Sequence, residues 1–234
     1  MLLPENLRKS LTLVQAPVND ITDATKCVLS LAQAKAYARI DWDDEDATTI
    51  PIALNAVTER LDGAGGILGR ALLSQQWLMR LDGFGRTEAP HYFVPGNLLA
   101  TGVVGATTGR IKIPLPPLVT IDSVQYVDVD GNLQTVDPSI YQLVVGGQQG
   151  YSYIQPAFQQ SWPAHRLEPD AVRITFTAGY GTGANLPNGI RLGAGMLFKH
   201  LFDNRDSVVI GAGAALIVPN TVESILSPFV ASWF

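Results

Sequence analysis

The chain has 234 residues, of which 47% are hydrophobic and 16% are charged, and 16 Lys and Arg against 21 Asp and Glu give a formal net charge of −5. This charge argues against a protein whose main task is to grip nucleic acid, since such proteins normally carry a basic excess or a basic stripe. Charged residues are scarcer than the roughly 25% of an average soluble domain, which favours a surface that partner subunits partly cover.

We expect neither a signal peptide nor a membrane span. The first residues lack the basic region and the apolar run of a signal peptide. The longest uncharged run near the end, residues 207–222, is shorter than the roughly 20 residues of a membrane span and contains Gly211, Gly213 and Pro219. The single cysteine, Cys27, excludes an intrachain disulfide, so we expect assembly in a reducing cytoplasm.

Residues 1–29 precede the first helical pattern and are predicted to form an N-terminal arm that is ordered only when a partner binds it. Ser30 is a suitable N-cap for a short helix that reaches about Ile40. A longer helix follows an acidic loop at residues 41–46. Its apolar stripe has helical spacing and consists of Ile50, Ala53, Leu54, Val57 and Leu61.

The next part of the chain shows the two-residue period of half-buried strands. Asp130-Gly131 predicts a type I′ hairpin turn, because both residues tolerate a positive φ. Residues 83–109 are rich in Gly, Pro, Ala and Thr and are predicted to form a long loop. Strands are predicted at residues 77–81, 111–113, 119–129, 133–136, 141–145, 151–154 and 172–177.

Helical spacing returns after Pro187, in a stripe formed by Ile190, Ala194, Leu197 and Leu201. A Gly/Ala-rich link at residues 211–215 separates this helix from a last short one at residues 222–229. The order of elements predicts an α+β fold, in which a β-rich insertion at residues 75–184 interrupts a small helical bundle made of residues 30–74 and 185–234.

No catalytic, cofactor-binding or metal site is predicted. The glycines at residues 63–69 follow a helix, whereas those of a dinucleotide loop precede one. The glycines at 179–183 lack the Lys-Ser/Thr pair of a phosphate loop, and the acids at 41–46 lack the Gly and the distant Glu of a calcium loop. The residues that could serve as bases, ligands or nucleophiles are scattered: His91, His165, His200 and Cys27.

Aromatic residues are concentrated in the β-rich region: Trp77, Tyr126, Tyr141, Tyr151, Tyr153, Phe158 and Trp162. They could stack on sugars or bases. Nucleic acid is disfavoured, since no Lys or Arg lies between Lys112 and Arg166. A place in the core or in an interface accounts for most of them. The alternative is that they bind a ligand, in which case the chain would be a non-enzymatic virion protein that carries a β-sandwich and recognises carbohydrate or another surface ligand.

A series of short segments, in the right order over residues 30–206, resembles the head–tail connector (adaptor) proteins of long-tailed phages and gene transfer agents. The segments are 30–41 (SLAQAKAYARID), 69–77 (GRALLSQQW), 81–84 (LDGF), 113–119 (IPLPPLV), 126–131 (YVDVDG), 160–163 (QSWP), 177–181 (TAGYG) and 187–205. The long loop at 83–109 and the segment from residue 207 onward depart from the family pattern.

The resemblance implies a structural, non-enzymatic ring of usually twelve copies in the neck of a virion. Such a ring lies under the portal protein and above a stopper or tail-end protein, and DNA passes through its lumen during genome packaging and ejection. A ring subunit needs two complementary flanks, and a low surface charge suits that need.

The C-terminal segment is predicted to dock on the portal. Its apolar residues present more area than a free tail would keep in water: Ile225, Leu226, Phe229, Trp233 and Phe234. The alternative is that this tail folds back onto the helices of its own subunit.

Overall fold

The computed structural model of the chain describes residues 9–15, 27–43, 48–84, 109–146, 151–203 and 220–231. These ranges contain four α-helices and two antiparallel β-sheets, so the predicted α+β class is confirmed. The elements are β1 (Lys9–Gln15), α1 (Leu31–Ala38), α2 (Thr49–Leu61), β2 (Gln75–Leu81), β3 (Ile111–Ile113), β4 (Leu118–Val127), β5 (Leu133–Thr135), β6 (Tyr141–Val144), β7 (Ser152–Pro156), β8 (Val172–Ala178), α3 (Asn188–Asp203) and α4 (Asn220–Leu226).

The first helix begins where the sequence predicts. The Ser30 side chain accepts the Gln33 N–H at 3.2 Å, and the Gln33 side chain accepts the Ser30 N–H at 3.0 Å. This reciprocal capping box satisfies two amide groups that would otherwise lack partners at a helix start. The helix ends at Arg39, whose left-handed φ of 57° turns the chain away.

The helices share one hydrophobic core, in which α1 and α2 both pack against α3. In α2 the predicted stripe is buried except for Ala53, which is half-buried. In α3 Ile190, Ala194 and Leu197 are buried and Leu201 is half-buried. The packing follows from these stripes, because each helix can remove its apolar face from water only against another element.

The strands form a second core between a five-stranded sheet, with the order β1-β2-β8-β4-β5, and a three-stranded sheet, with the order β3-β7-β6. Burial alternates along β2 and β8, and their register places Trp77 opposite Phe176 and Met79 opposite Ile174. All four of these side chains are buried. The two-residue period therefore marks the face of the sheet that lies against the core.

Two local predictions differ from the structure. Residues 9–15, assigned to an arm ordered by a partner, pair as β1 with the edge of β2, which supplies backbone hydrogen bonds from the same chain. The turn after β4 is not type I′, because Asp130 lacks the positive φ that such a turn needs. Instead, the Gly131 N–H donates to the Asp128 carbonyl, and only Gly131 in this turn has a positive φ, of 93°.

Some predicted features lie outside the described residues, namely most of the loop at 83–109 and the link at 211–215. Among the described helices, none is long and apolar enough to cross a bilayer.

Candidate interaction surfaces

The C-terminal segment packs on α3 through two glycines that are one helical turn apart. A Cβ atom at Gly193 would lie 2.5 Å from Leu226 Cδ2, and one at Gly189 would lie 2.5 Å from Phe229 Cε2. Each glycine therefore leaves space that a large side chain of the C-terminal segment fills. The Ala231 N–H then donates to the Leu68 carbonyl at 2.8 Å, which ties residues 220–231 to the helical core.

This arrangement decides where the predicted portal-docking residues lie. Leu226 is 2% exposed, and Phe229 is partly buried against the same core. Both side chains are thus used inside their own subunit, as the fold-back alternative requires for residues 220–231. Ile225 is half-buried, and Trp233 and Phe234 lie outside the described residues.

A polar junction joins the helical core to the strands. The carboxylate of Asp62, at the end of α2, accepts the Leu72 N–H at 2.7 Å and the Gln75 side-chain amide at 2.9 Å. The Gln75 side-chain oxygen accepts the indole N–H of Trp77 at 3.0 Å. Burial raises the pKa of Asp62 above its usual value, although the hydrogen bonds from Leu72 and Gln75 oppose that rise.

The chain leaves the strands beside the point where it enters them. The Ser74 N–H donates to the Gly181 carbonyl at 2.9 Å, and the Tyr180 N–H donates to the Leu72 carbonyl at 3.0 Å. Arg70, which is 1% exposed, donates from Nη1 to the Tyr180 hydroxyl at 2.6 Å. Two adjacent backbone segments and a buried cation therefore connect the two cores, and no sequence motif indicated this arrangement.

The outer side of the three-stranded sheet carries cations on aromatic rings. The Arg110 guanidinium lies 4.8 Å from the centre of the Tyr153 ring, and Lys112 Nζ lies 3.4 Å from the centre of the Tyr151 ring. Arg110 also donates from Nε to the Gln155 side chain at 3.0 Å. We call Arg110, Lys112, Tyr151 and Tyr153 the basic face.

The basic face limits the argument from the sequence that the aromatic residues of the β-rich region lack neighbouring cations. No Lys or Arg lies near the tyrosines in sequence, but the antiparallel pairing of β3 with β7 places Lys112 opposite Tyr153. The signal that could have located this face is the pair of two-residue patterns at residues 110–112 and 151–153, provided that their pairing were known.

An acidic hairpin lies at the turn between β4 and β5. The Asp128 carboxylate accepts the N–H groups of Asp130 and Asn132 and the side-chain amide of Gln134, at 3.0, 2.8 and 3.1 Å. These hydrogen bonds lower the pKa of Asp128, and the bond from the Asn132 N–H has the largest effect. The carboxylate therefore stays ionised at a lower pH than an ordinary Asp does. Val129 and Leu133 beside it are 65% and 49% exposed. We call residues 128–133 the acidic hairpin.

The other aromatic side chains mostly serve the strand core. Trp77 is buried, and Trp162 stacks on Phe84 with a centroid distance of 4.6 Å. The Trp162 indole N–H donates to the Gly109 carbonyl at 2.7 Å, so Phe84 and Trp162 hold together the two ends of the predicted loop. Phe158, in contrast, is 88% exposed.

The residues considered for chemistry are not brought together. Cys27 is buried, His165 meets the ring of Phe84 edge-on, and His200 lies on α3. Asp43 pairs with Lys35, while His91 lies outside the described residues. The described part of the chain contains no group of three or more His, Cys, Asp and Glu side chains that could hold a metal ion.

Comparison with known proteins gives a likeness in structure alone. No family model matches the chain, and no curated protein matches it. One similar solved chain belongs to the "Neck of empty GTA particle computed with C6 symmetry"; it has 19% identity and a TM-score of 0.64, over 96% of this chain and 97% of that one.

Two further similar chains come from the same kind of particle. The "Virion of native gene transfer agent (GTA) particle" contains a chain with 18% identity and a TM-score of 0.63, over 96% of both chains. The "Neck of native GTA particle computed with C12 symmetry" contains one with 19% identity and a TM-score of 0.60, over 96% of this chain and 97% of that one. At these identities the likeness shows a shared fold, and at the level of fold it confirms the resemblance to proteins of gene transfer agent particles.

Proposed function

We propose that this chain is a structural head–tail connector (adaptor) subunit in the neck of a phage-like particle. It forms a ring beneath the portal protein, joins capsid to tail and lets DNA pass. The observation that supports this proposal most is the likeness in fold to chains of neck particles, which extends over 96% of this chain.

The proposed ring has twelve copies, in keeping with the C12 symmetry of one of those particles. Its other partners are the portal above and a stopper or tail-end protein below. With a net charge of −5, the subunit is suited to let DNA slide through the lumen without sequence-specific binding, because strong neutralisation of phosphates would hold the DNA. The role is non-enzymatic and needs no cofactor and no membrane.

Docking of the C-terminal segment on the portal remains part of the proposal in a narrower form. Because Leu226 and Phe229 pack on α3, the contact would depend on Trp233 and Phe234, with Ile225 at its margin. Carbohydrate binding has less support, since Trp77, Tyr141 and Trp162 belong to the strand core or pack against it.

Co-expression with the portal protein of the same particle tests the proposal. Mass photometry and cryo-electron microscopy should show a portal-bound ring with twelve times the 25.1 kDa mass of one chain. A chain that stays monomeric with and without the portal would contradict it.

A further inference from the structure

We propose that the basic face of one subunit binds the acidic hairpin of a second copy of this chain. The inference rests on the proposed ring, in which each subunit presents one flank to the preceding copy and a different flank to the next. It assigns those two flanks to specific side chains.

The basic face is a preformed surface with one sign of charge. The three strands beneath it, IKI, YQLV and SYIQP, contain Lys112 and no acidic residue. Tyr151 is 39% exposed, so part of its ring is open to a partner although Lys112 lies over it. The cations on this face are complementary in charge to carboxylates, and the open part of the Tyr151 ring can cover aliphatic side chains beside them.

The acidic hairpin offers that combination. Asp128 and Asp130 provide carboxylates, and Val129 and Leu133 provide exposed aliphatic side chains next to them. The bonds to Asp128 hold the turn in shape before any partner arrives, so little conformational entropy is lost when it binds.

A second copy explains both surfaces, whereas nucleic acid would explain only one. DNA phosphates could contact Arg110 and Lys112, but they would leave Val129 and Leu133 in water and would be repelled by Asp128 and Asp130. A heterologous contact covers the basic face and the acidic hairpin in each subunit.

Charge reversal of each surface provides the test. The first variant carries Arg110→Glu and Lys112→Glu, and the second carries Asp130→Lys. Asp130 gives only its backbone N–H to the bonds around Asp128 described above, so the second variant retains them. The first variant alone then places carboxylates opposite the acidic hairpin at every contact. The second variant alone keeps Asp128 but places the new ammonium of Asp130→Lys opposite the cations of the basic face. Each variant should therefore need a concentration about tenfold higher or more to form rings on the portal.

An equal mixture of the two variants should assemble again. In a ring where the variants alternate, the Asp130→Lys ammonium faces the carboxylates of Arg110→Glu and Lys112→Glu, and the unchanged hairpin of the first variant faces the unchanged basic face of the second. Twelve positions allow that alternation. The control is Arg60→Glu on the exposed side of α2, which should assemble like the wild type. All variants should melt within about 2 °C of the wild type, since surface substitutions change stability little.

The outcomes separate this inference from the proposed function. Wild-type chain that forms no ring overturns both. Wild-type rings together with normal rings from each variant overturn the inference alone, as does a mixture that fails to recover. If the first variant formed rings normally but those rings bound DNA more weakly than wild-type rings, the basic face would be assigned to nucleic acid instead.

Discussion

Replacing Leu226 with Ala tests whether the C-terminal segment belongs to the core of its own subunit. The side chain is 2% exposed and fills the space above Gly193. Truncating a buried leucine to alanine costs about 2–5 kcal/mol, through lost transfer energy and the cavity that remains. For a chain of this size, such a loss should lower the melting temperature by about 5–15 °C.

The contact with Gly193 allows a sharper version of this experiment. Gly193→Ala alone brings a Cβ atom to 2.5 Å from Leu226 Cδ2, and overpacking of this kind costs about 1–3 kcal/mol. The same substitution gains about 1 kcal/mol from helix propensity. In the double variant the new methyl group enters the cavity, so the clash disappears and the gain remains. The two changes should therefore be non-additive by about 1 kcal/mol or more.

Urea unfolding of the wild type, the two single variants and the double variant measures this coupling. The free energies of unfolding should show the double variant to be more stable than the sum of the single changes predicts. If Leu226→Ala left the melting temperature unchanged and only weakened portal binding, the assignment of Leu226 to the core would be wrong. Additive effects within about 0.5 kcal/mol would contradict the contact with Gly193.

Three further predictions concern the junction and the tail. The wild type should lose stability relative to an Asp62→Asn variant as the pH rises above 3.8, the ordinary pKa of Asp. The reason is that the Asp62 carboxyl retains its proton in the folded state at pH values where it releases the proton in the unfolded state. The free energy of unfolding at several pH values measures this loss. Gly179→Ala should cost about 3 kcal/mol or more, since φ there is +124° and a Cβ atom would strike the Leu73 carbonyl, whereas Gly65→Ala should change the unfolding energy by less than about 1 kcal/mol. Deleting residues 232–234 should leave the melting temperature nearly unchanged and abolish co-purification with the portal; retained binding would end that part of the proposal.

Local patterns were sufficient to predict most of the elements. The stripes of α2 and α3 and the alternation in β2 and β8 are properties of neighbouring residues, because helices and strands repeat every 3.6 and 2 residues. Ser30 also marked the start of α1 by a local hydrogen bond. The α+β class followed from the order in which these patterns change.

The tail shows where local patterns are insufficient. The apolar residues near the end of the chain could equally cover a partner or the subunit itself, since burial on either surface removes the same apolar side chains from water. The choice depends on Gly189 and Gly193, which create matching space only after α3 and α4 have met. The sequence marked the residues as interacting, and tertiary packing decided that Leu226 and Phe229 interact within the subunit.

The candidate surfaces divide in the same way between sequence and tertiary structure. The sequence alone located the turn of the acidic hairpin, because Asp130-Gly131 is a local turn signal, although the turn is not of the predicted type I′. The basic face exists only in the folded chain. Lys112 and Tyr153 are distant in sequence, and the antiparallel register of β3 and β7 places them side by side. A register is chosen by the burial of whole strands, and no single motif in the sequence contains that information.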